Sequence, residues 1–374
     1  MAPLRATGVL LAALALVQLL VGGCSRATPA PELAPFDWTA MKKVWRQRIE
    51  RFQQAGVLPL IDIESSYGDS QPSYPEDVGN WEEAVTALDP FIDEGGVAII
   101  AFGAETSPFR GAPNVPGRPR WAVANHLLVD HPLPWFLPVP RAGQLPGRDG
   151  SPKIEPVLRE AERDGYPMLG EFFFRHYPSN TQLLDEARKA ASDYDFALDG
   201  PLGDQLLSWA AEHRVPVQLH YEVEDRLLAP LERALERHPD APVIWCHFGR
   251  VRYPDRGPGY TAKQVERLLK RFPNLYFDTS VATLKEYYPP SNAFACVLYD
   301  RSDGSLLPEW KAVMEKYPWR FLCGLDMGSD RCNPRQLLDR VATQRYLLGL
   351  LSPKAGEIVA WRAAWRLLFH EELP

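Results

Sequence analysis

The chain has 374 residues, 45% of them hydrophobic and 24% charged. That is enough for one large domain or two modest ones, and too apolar for a disordered protein. A formal net charge of −7, with no dense stripe of Lys or Arg, argues against nucleic acid as a partner.

The chain opens on a targeting pattern. One positive charge in Met1 to Arg5 precedes a nearly unbroken apolar run, Gly8 to Val21, too short to span a bilayer comfortably, and Val21-Gly22-Gly23-Cys24 follows. This resembles a bacterial lipoprotein signal, which implies that residues 1–23 are removed and that Cys24 is lipidated and becomes the new N-terminus. Ser25 at the next position favours, by the same resemblance, the outer membrane, on the periplasmic side of the cell envelope. Residues 24–36, rich in Ala and Pro, read as a tether, and 37–374 as the folded domain.

Strands and helices then alternate. An amphipathic helix is expected over Trp38 to Ala55, followed by a strand at Val57 to Glu64, a helix within Trp81 to Glu94 and a strand at Val97 to Phe102. A third strand at Trp135 to Val139 leads to a helix over Ile154 to Arg163 and a strand at Met168 to Phe174. The next pairs are helix Asp204 to Glu212 with strand Val215 to His220, helix Leu227 to Arg237 with strand Val243 to His247, and helix Ala262 to Arg271 with strand Leu275 to Asp278. A helix at Pro308 to Lys316, a strand at Phe321 to Asp326, and helices Arg335 to Leu348 and Lys354 to Leu368 finish the chain. Eight strand–helix units suit an α/β fold of the (β/α)8 TIM-barrel type, with the 36 prolines stiffening inserted loops such as Thr106 to Pro134 and Lys285 to Gly304.

Six of the apolar runs finish on, or carry near their ends, a residue able to hold a metal ion, which a buried strand has no local reason to do. In a barrel these residues gather at the C-terminal mouth. They are Asp62, Glu64, Glu171, His220, His247 and Asp326, with Asp278 expected instead to bond neighbouring backbone. Asp62 and Glu64, two apart, point the same way. Arg175, His176, Tyr221 and Arg250 follow the same strands and are candidates for binding substrate, the arginines suiting a planar anion.

Gly170-Glu171, Leu219-His220, Cys246 to Gly249 (CHFG) and Gly324 to Asp326 (GLD), in that order, resemble the amidohydrolase superfamily, especially its amidohydrolase-2 branch. The resemblance runs from about Val57 to Phe369. It implies that Glu171 is the strand-four metal ligand, His220 and His247 the strand-five and strand-six histidines, and Asp326 the strand-eight acid. The family's first-strand His-x-His is replaced here by Asp62-Ile63-Glu64. The six residues comprise four carboxylates and two imidazoles, a formal −4 that one or two divalent ions would offset. Zinc or manganese is expected, the added oxygen ligands moving the preference toward harder ions. In the hydrolytic reading Asp326 takes a proton from water and His247 steadies the oxyanion or leaving group, for a small-molecule amide, ester, lactone or phosphoester. A binding lipoprotein without catalysis, and a decarboxylating lyase, remain open because of the altered first strand. Cys246 and Cys323 are expected as buried thiols, and Cys296 and Cys332 as loop residues able to pair.

Overall fold

The apolar runs become eight short parallel strands: β1 (Leu60–Tyr67), β2 (Val97–Ala104), β3 (Phe136–Pro138), β4 (Leu169–His176), β5 (Val217–Tyr221), β6 (Val243–Trp245), β7 (Leu275–Asp278) and β8 (Phe321–Leu322). The computed structural model describes residues 33–67, 86–104, 114–130, 133–140, 154–280, 283–328 and 333–373. Ala34–Pro374 forms one unit. Cys24 and the expected signal lie outside the described residues, as do His131, Cys332 and residues 106–113 of the loop from Thr106 to Pro134.

The strands pair in parallel as β1–β2–β3 and as β4–β5–β6–β7–β8. Two seams join these sheets. At one, the Gly170 N–H donates to the Pro140 carbonyl at 3.1 Å. At the other, Ile63 donates to Cys323 at 3.1 Å and Ser66 to Met327 at 2.6 Å, with a parallel bridge from Ser65 to Met327. The two seams leave no long unpaired edge among these strands, which is what closing a sheet achieves.

Helices separate the strands: α1 (Trp38–Gln54) before β1, then α2 (Asp89–Glu94), α3 (Arg120–Asp130), α4 (Glu155–Asp164), α5 (Pro201–His213), α6 (Asp225–Arg237), α7 (Ala262–Arg271) and α8 (Pro308–Lys316), one after each strand from β1 to β7, with α9 (Pro334–Gly349) after β8. The α1 helix starts because Asp37 Oδ1 accepts from the Ala40 N–H at 2.9 Å, leaving one fewer orphan donor in its first turn. It buries Trp45, Ile49 and Phe52 at helical spacing. Its buried Arg48 donates to the Val97 and Ala98 carbonyls, tying the helix to the start of β2. Phe36, placed by sequence in the tether, is buried and stacks on His126 at 4.1 Å.

Two boundaries differ from expectation in a way that matters for the site. Pro59 has no N–H to give to a ladder, so β1 starts at Leu60 and continues to Tyr67, which places Asp62 and Glu64 inside the strand. Likewise β4 runs on to His176, with Glu171 as its third residue. Two small additions line the same end: Tyr194–Asp195 pairs antiparallel with Arg175 and His176, and Tyr287–Tyr288 forms a hairpin with Ala293–Phe294. Strands of two residues are too short to leave a period in the sequence.

Candidate metal centre and active site

Period-two geometry puts Glu222 on the same face as His220. His220 Nε2 lies 3.0 Å from Glu222 Oε1, and that oxygen also accepts from Arg252 Nη1 at 2.5 Å and from the Tyr177 N–H at 3.3 Å. Arg252 is 2% exposed, so this pair sits in a low-dielectric setting where each charge needs the other. His247 is tied differently. It follows β6 with a left-handed φ of 62°, its N–H donates to Asp278 Oδ1 at 3.0 Å, and its Nδ1 lies 2.7 Å from Ser280 Oγ. With one nitrogen of each ring anchored, His220 Nδ1 and His247 Nε2 converge on Glu171.

The three atoms form a triangle. Glu171 Oε1 is 2.5 Å from His220 Nδ1 and 3.3 Å from His247 Nε2, and the two nitrogens are 3.1 Å apart. Donors around a tetrahedral ion with bonds of about 2.0–2.1 Å stand about 3.3 Å from one another, so the triangle fits an ion after a small expansion. An outer contact on the second nitrogen of each imidazole is what a ligating histidine requires, since it sets the tautomer and the ring orientation. Two neutral imidazoles and a carboxylate are also a donor set suited to zinc or manganese.

An amidohydrolase family model matches residues 155–312, the stretch that carries Glu171, His220 and His247. No curated protein sequence matches the chain. Solved structures similar to it include a dihydroorotase from Campylobacter jejuni, at 12% identity and a TM-score of 0.48, covering 84% of each chain. A 2,6-dihydroxybenzoate decarboxylase from Rhizobium has 14% identity and a TM-score of 0.45, over 83% of this chain and 99% of its own. A dihydroxybenzoic acid decarboxylase from Polaromonas, solved with bound manganese and an inhibitor, 2-nitroresorcinol, has 14% identity and a TM-score of 0.44, over 83% and 96%.

Charge state follows position. Burial opposes ionisation of Glu171, but the two imidazoles outweigh it and hold its pKa well below the carboxylate range. Burial likewise works against a charged His220, and Glu171 and Glu222 overcome it and raise the histidine. Glu222 is held well below its usual value, against the cost of burial, by Arg252 and His220. Glu64 goes the other way. It is 1% exposed, neither carboxylate oxygen accepts from a donor among the described residues, and burial together with Asp278, Glu171 and Asp326 lifts its pKa well above normal.

The remaining expected residues divide between mouth and frame. Asp326 ends the β8 connection half-buried, with φ at 48°. Arg250 Nε stands 2.7 Å from Glu286 Oε1, and its pKa is raised by Glu286, Glu222 and Asp326 in spite of burial. Asp62 accepts from the N–H groups of Glu64 and Leu325 and from Ser65 Oγ, at 2.9, 2.8 and 2.5 Å, which ties β1 to the segment after β8. Arg175 bonds Glu224 at 3.0 Å and Asp193 at 2.5 Å and lies over the Tyr177 ring. His176 Nδ1 is 2.6 Å from the Ser192 carbonyl, its ring 4.4 Å from that of His220. The Tyr221 hydroxyl donates to the Leu227 carbonyl in α6. These last three side chains brace the wall behind the triangle.

Sequence reasoning singled out neither Arg252 nor Ser280. The spacing His220-x-Glu222 held a usable signal for a carboxylate behind the histidine, whereas the reach of Arg252 across from the β6 connection held none. The glycines of the GE and GLD motifs have steric roles. Gly170 has φ at 120°, and a Cβ there would lie 2.5 Å from the Gln218 carbonyl oxygen. A Cβ on Gly324 would lie 3.0 Å from Ser280 Cβ and 3.4 Å from Glu64 Oε2.

Proposed function

We propose that this protein is an exported, lipid-anchored, metal-dependent hydrolase of the amidohydrolase type, acting on an amide, ester, lactone or phosphoester. The observation that carries the reading is the convergence of two anchored imidazole nitrogens on Glu171 at the barrel mouth. Glu171, His220 and His247 would hold the ion. A divalent ion there supplies Lewis acidity, polarising a carbonyl or phosphoryl oxygen and acidifying water.

The chain's own groups complete the chemistry. Asp326, half-buried beside this cluster, receives the proton of the attacking water and returns it to the leaving group. Arg250, fixed by Glu286, gives an anionic part of the substrate a cation to bind. Arg252 and Ser280 keep the imidazoles aimed through Glu222 and directly, respectively. Cys24 carries the lipid.

Turnover by the purified protein, supplied with zinc or manganese, on a panel of these four bond classes tests the reading. Asp326→Asn should lower kcat on the accepted substrate by about 10²- to 10⁴-fold while the metal content is unchanged. Binding of small molecules with no turnover of any class would favour the binding-protein reading, and release of carbon dioxide from aromatic acids would favour a lyase. Cys24→Ser should move the protein from the membrane to the soluble fraction.

A further inference from the structure

Beneath the triangle lies a second group of potential ligands. Glu64 in β1, Cys246 just after β6 and Asp278 at the end of β7 are all buried, and one atom from each lies within 4.8 Å of the others. These are not the residues the motif resemblance assigns as a set, since it gives no metal role to Cys246 or Asp278. With bonds of about 2.0–2.2 Å to oxygen and 2.3 Å to sulfur, ligand atoms stand about 3.4–3.7 Å apart, so one ion bridges such a span once the side chains reduce their separations by up to about 1 Å.

The three differ in their partners. Asp278 is well supplied: Oδ1 accepts from the His247 N–H, the Ser280 N–H and Ser280 Oγ, and Oδ2 from Gln218 Nε2 at 3.3 Å. That network fixes its carboxylate in place, and the Glu64 carboxyl and the Cys246 thiol both come within hydrogen-bonding reach of it. Glu64 is the opposite, since both of its oxygens are buried with no donor among the described residues. An isolated buried carboxylate costs several kcal/mol, which evolution tolerates where an ion or a proton completes it. His247 Nδ1, at 3.6 Å from Glu64 Oε1, is already bonded to Ser280 Oγ. Gly324 keeps the space beside Glu64 Oε2 clear.

We propose that Glu64, Cys246 and Asp278 form an inner metal site with a thiolate ligand, so that the mouth takes two ions of different character. The outer site has two nitrogens and an oxygen, and the inner one has two oxygens and a sulfur. Soft, thiophilic divalent ions such as zinc, cobalt and cadmium should prefer the inner site over manganese or magnesium. On binding, the Cys246 thiol gives up its proton to solvent and the sulfur lone pair forms the bond; no oxidant is involved. The inference rests on the metal-centre reading for its neighbour, yet the two can fail separately.

Cobalt(II) titration of the metal-stripped protein reads both sites. A cobalt–thiolate bond adds a sulfur-to-metal charge-transfer band in the near ultraviolet, which nitrogen and oxygen ligands do not give. The expected result is two ions per chain with that band. Cys246→Ser should abolish the band and lower the count from two to one, Cys323→Ser should leave both unchanged, and His220→Ala should lose one ion and keep the band. Circular dichroism of Cys246→Ser and Cys246→Ala checks that each is folded; a band that persists in either folded variant overturns the inner site. One ion and no band in the parent protein would also overturn it, leaving Glu64 a neutral acid and the outer site intact. No ion at all would overturn both.

Discussion

The two sides of the barrel mouth solve the same problem differently. On the β4–β5 side buried carboxylates face guanidinium groups: Glu222 bonds Arg252, and Glu224 bonds Arg175 and Arg226. On the β1–β7 side, Asp278 bonds neutral donors, and Glu64 has no cation or other donor hydrogen-bonded to its oxygens among the described residues. Glu222 and Glu64 are both buried, yet their pKa values move in opposite directions. Burial alone therefore does not set the behaviour of an acid here; the partner does. One side is finished by the chain itself, and the other is arranged to be finished by a cation from outside.

The largest expected effect tests the bond between the sides. His220→Ala removes one corner of the triangle, and should lose the outer ion and on the order of 10³-fold in kcat/KM, read by elemental analysis and initial rates. Next comes a matched pair of substitutions. Glu222→Gln leaves Arg252 buried without its carboxylate, and should cost about 3 kcal/mol in urea unfolding as well as weakening metal binding about 10- to 100-fold. Glu64→Gln, in metal-stripped protein, replaces a buried carboxyl that keeps its proton by a neutral amide and should change stability by less than about 1 kcal/mol or raise it. Equal losses from both would erase the distinction between the sides.

The pH dependence of the metal-stripped protein carries the same contrast with opposite signs. Glu222 has a folded pKa below its unfolded value of about 4.3, so its stabilisation is present above that pH and is lost as the pH falls through the folded value. Glu64 has a folded pKa above its unfolded value. The folded state then holds a proton that the unfolded state has released, and stability declines as the pH rises from about 4.3 through the folded pKa. Urea midpoints against pH should show that Glu64→Gln flattens the decline on the alkaline side, and that Glu222→Gln weakens the loss on the acid side. The smallest effect belongs to Ser280→Ala, which removes the hydroxyl shared by Asp278 and His247 and should cost about 1 kcal/mol and at most about tenfold in metal affinity.

Much of this was legible in the sequence, and the limits have physical causes. Alternating strand and helix periods disclosed the eight units, because a parallel strand covered on both faces reads as an apolar run. His220, His247 and Glu171 stood out as polar residues within such runs. The sequence places Asp278 where it can bond backbone, and it does accept from two N–H groups. What the sequence could not disclose were contacts between distant segments. Arg252 meets Glu222 across 30 positions, and Ser280 meets His247 across 33. Arg175 looked like a group facing the mouth, since its position on β4 allows that, but Glu224 and Asp193 draw its guanidinium into the wall. Spacing gives the face of a strand, and only packing tells which partner a long side chain reaches.

The central claim is that the mouth is built to hold a divalent ion at Glu171, His220 and His247. Elemental analysis of the purified protein after growth with zinc and manganese supplied, beside His220→Ala purified in the same way, tests it most directly. At least one ion per chain in the parent, and one fewer in the folded variant, is the predicted result. Fewer than about 0.2 ions per chain in the parent, or the same content in both, would contradict it.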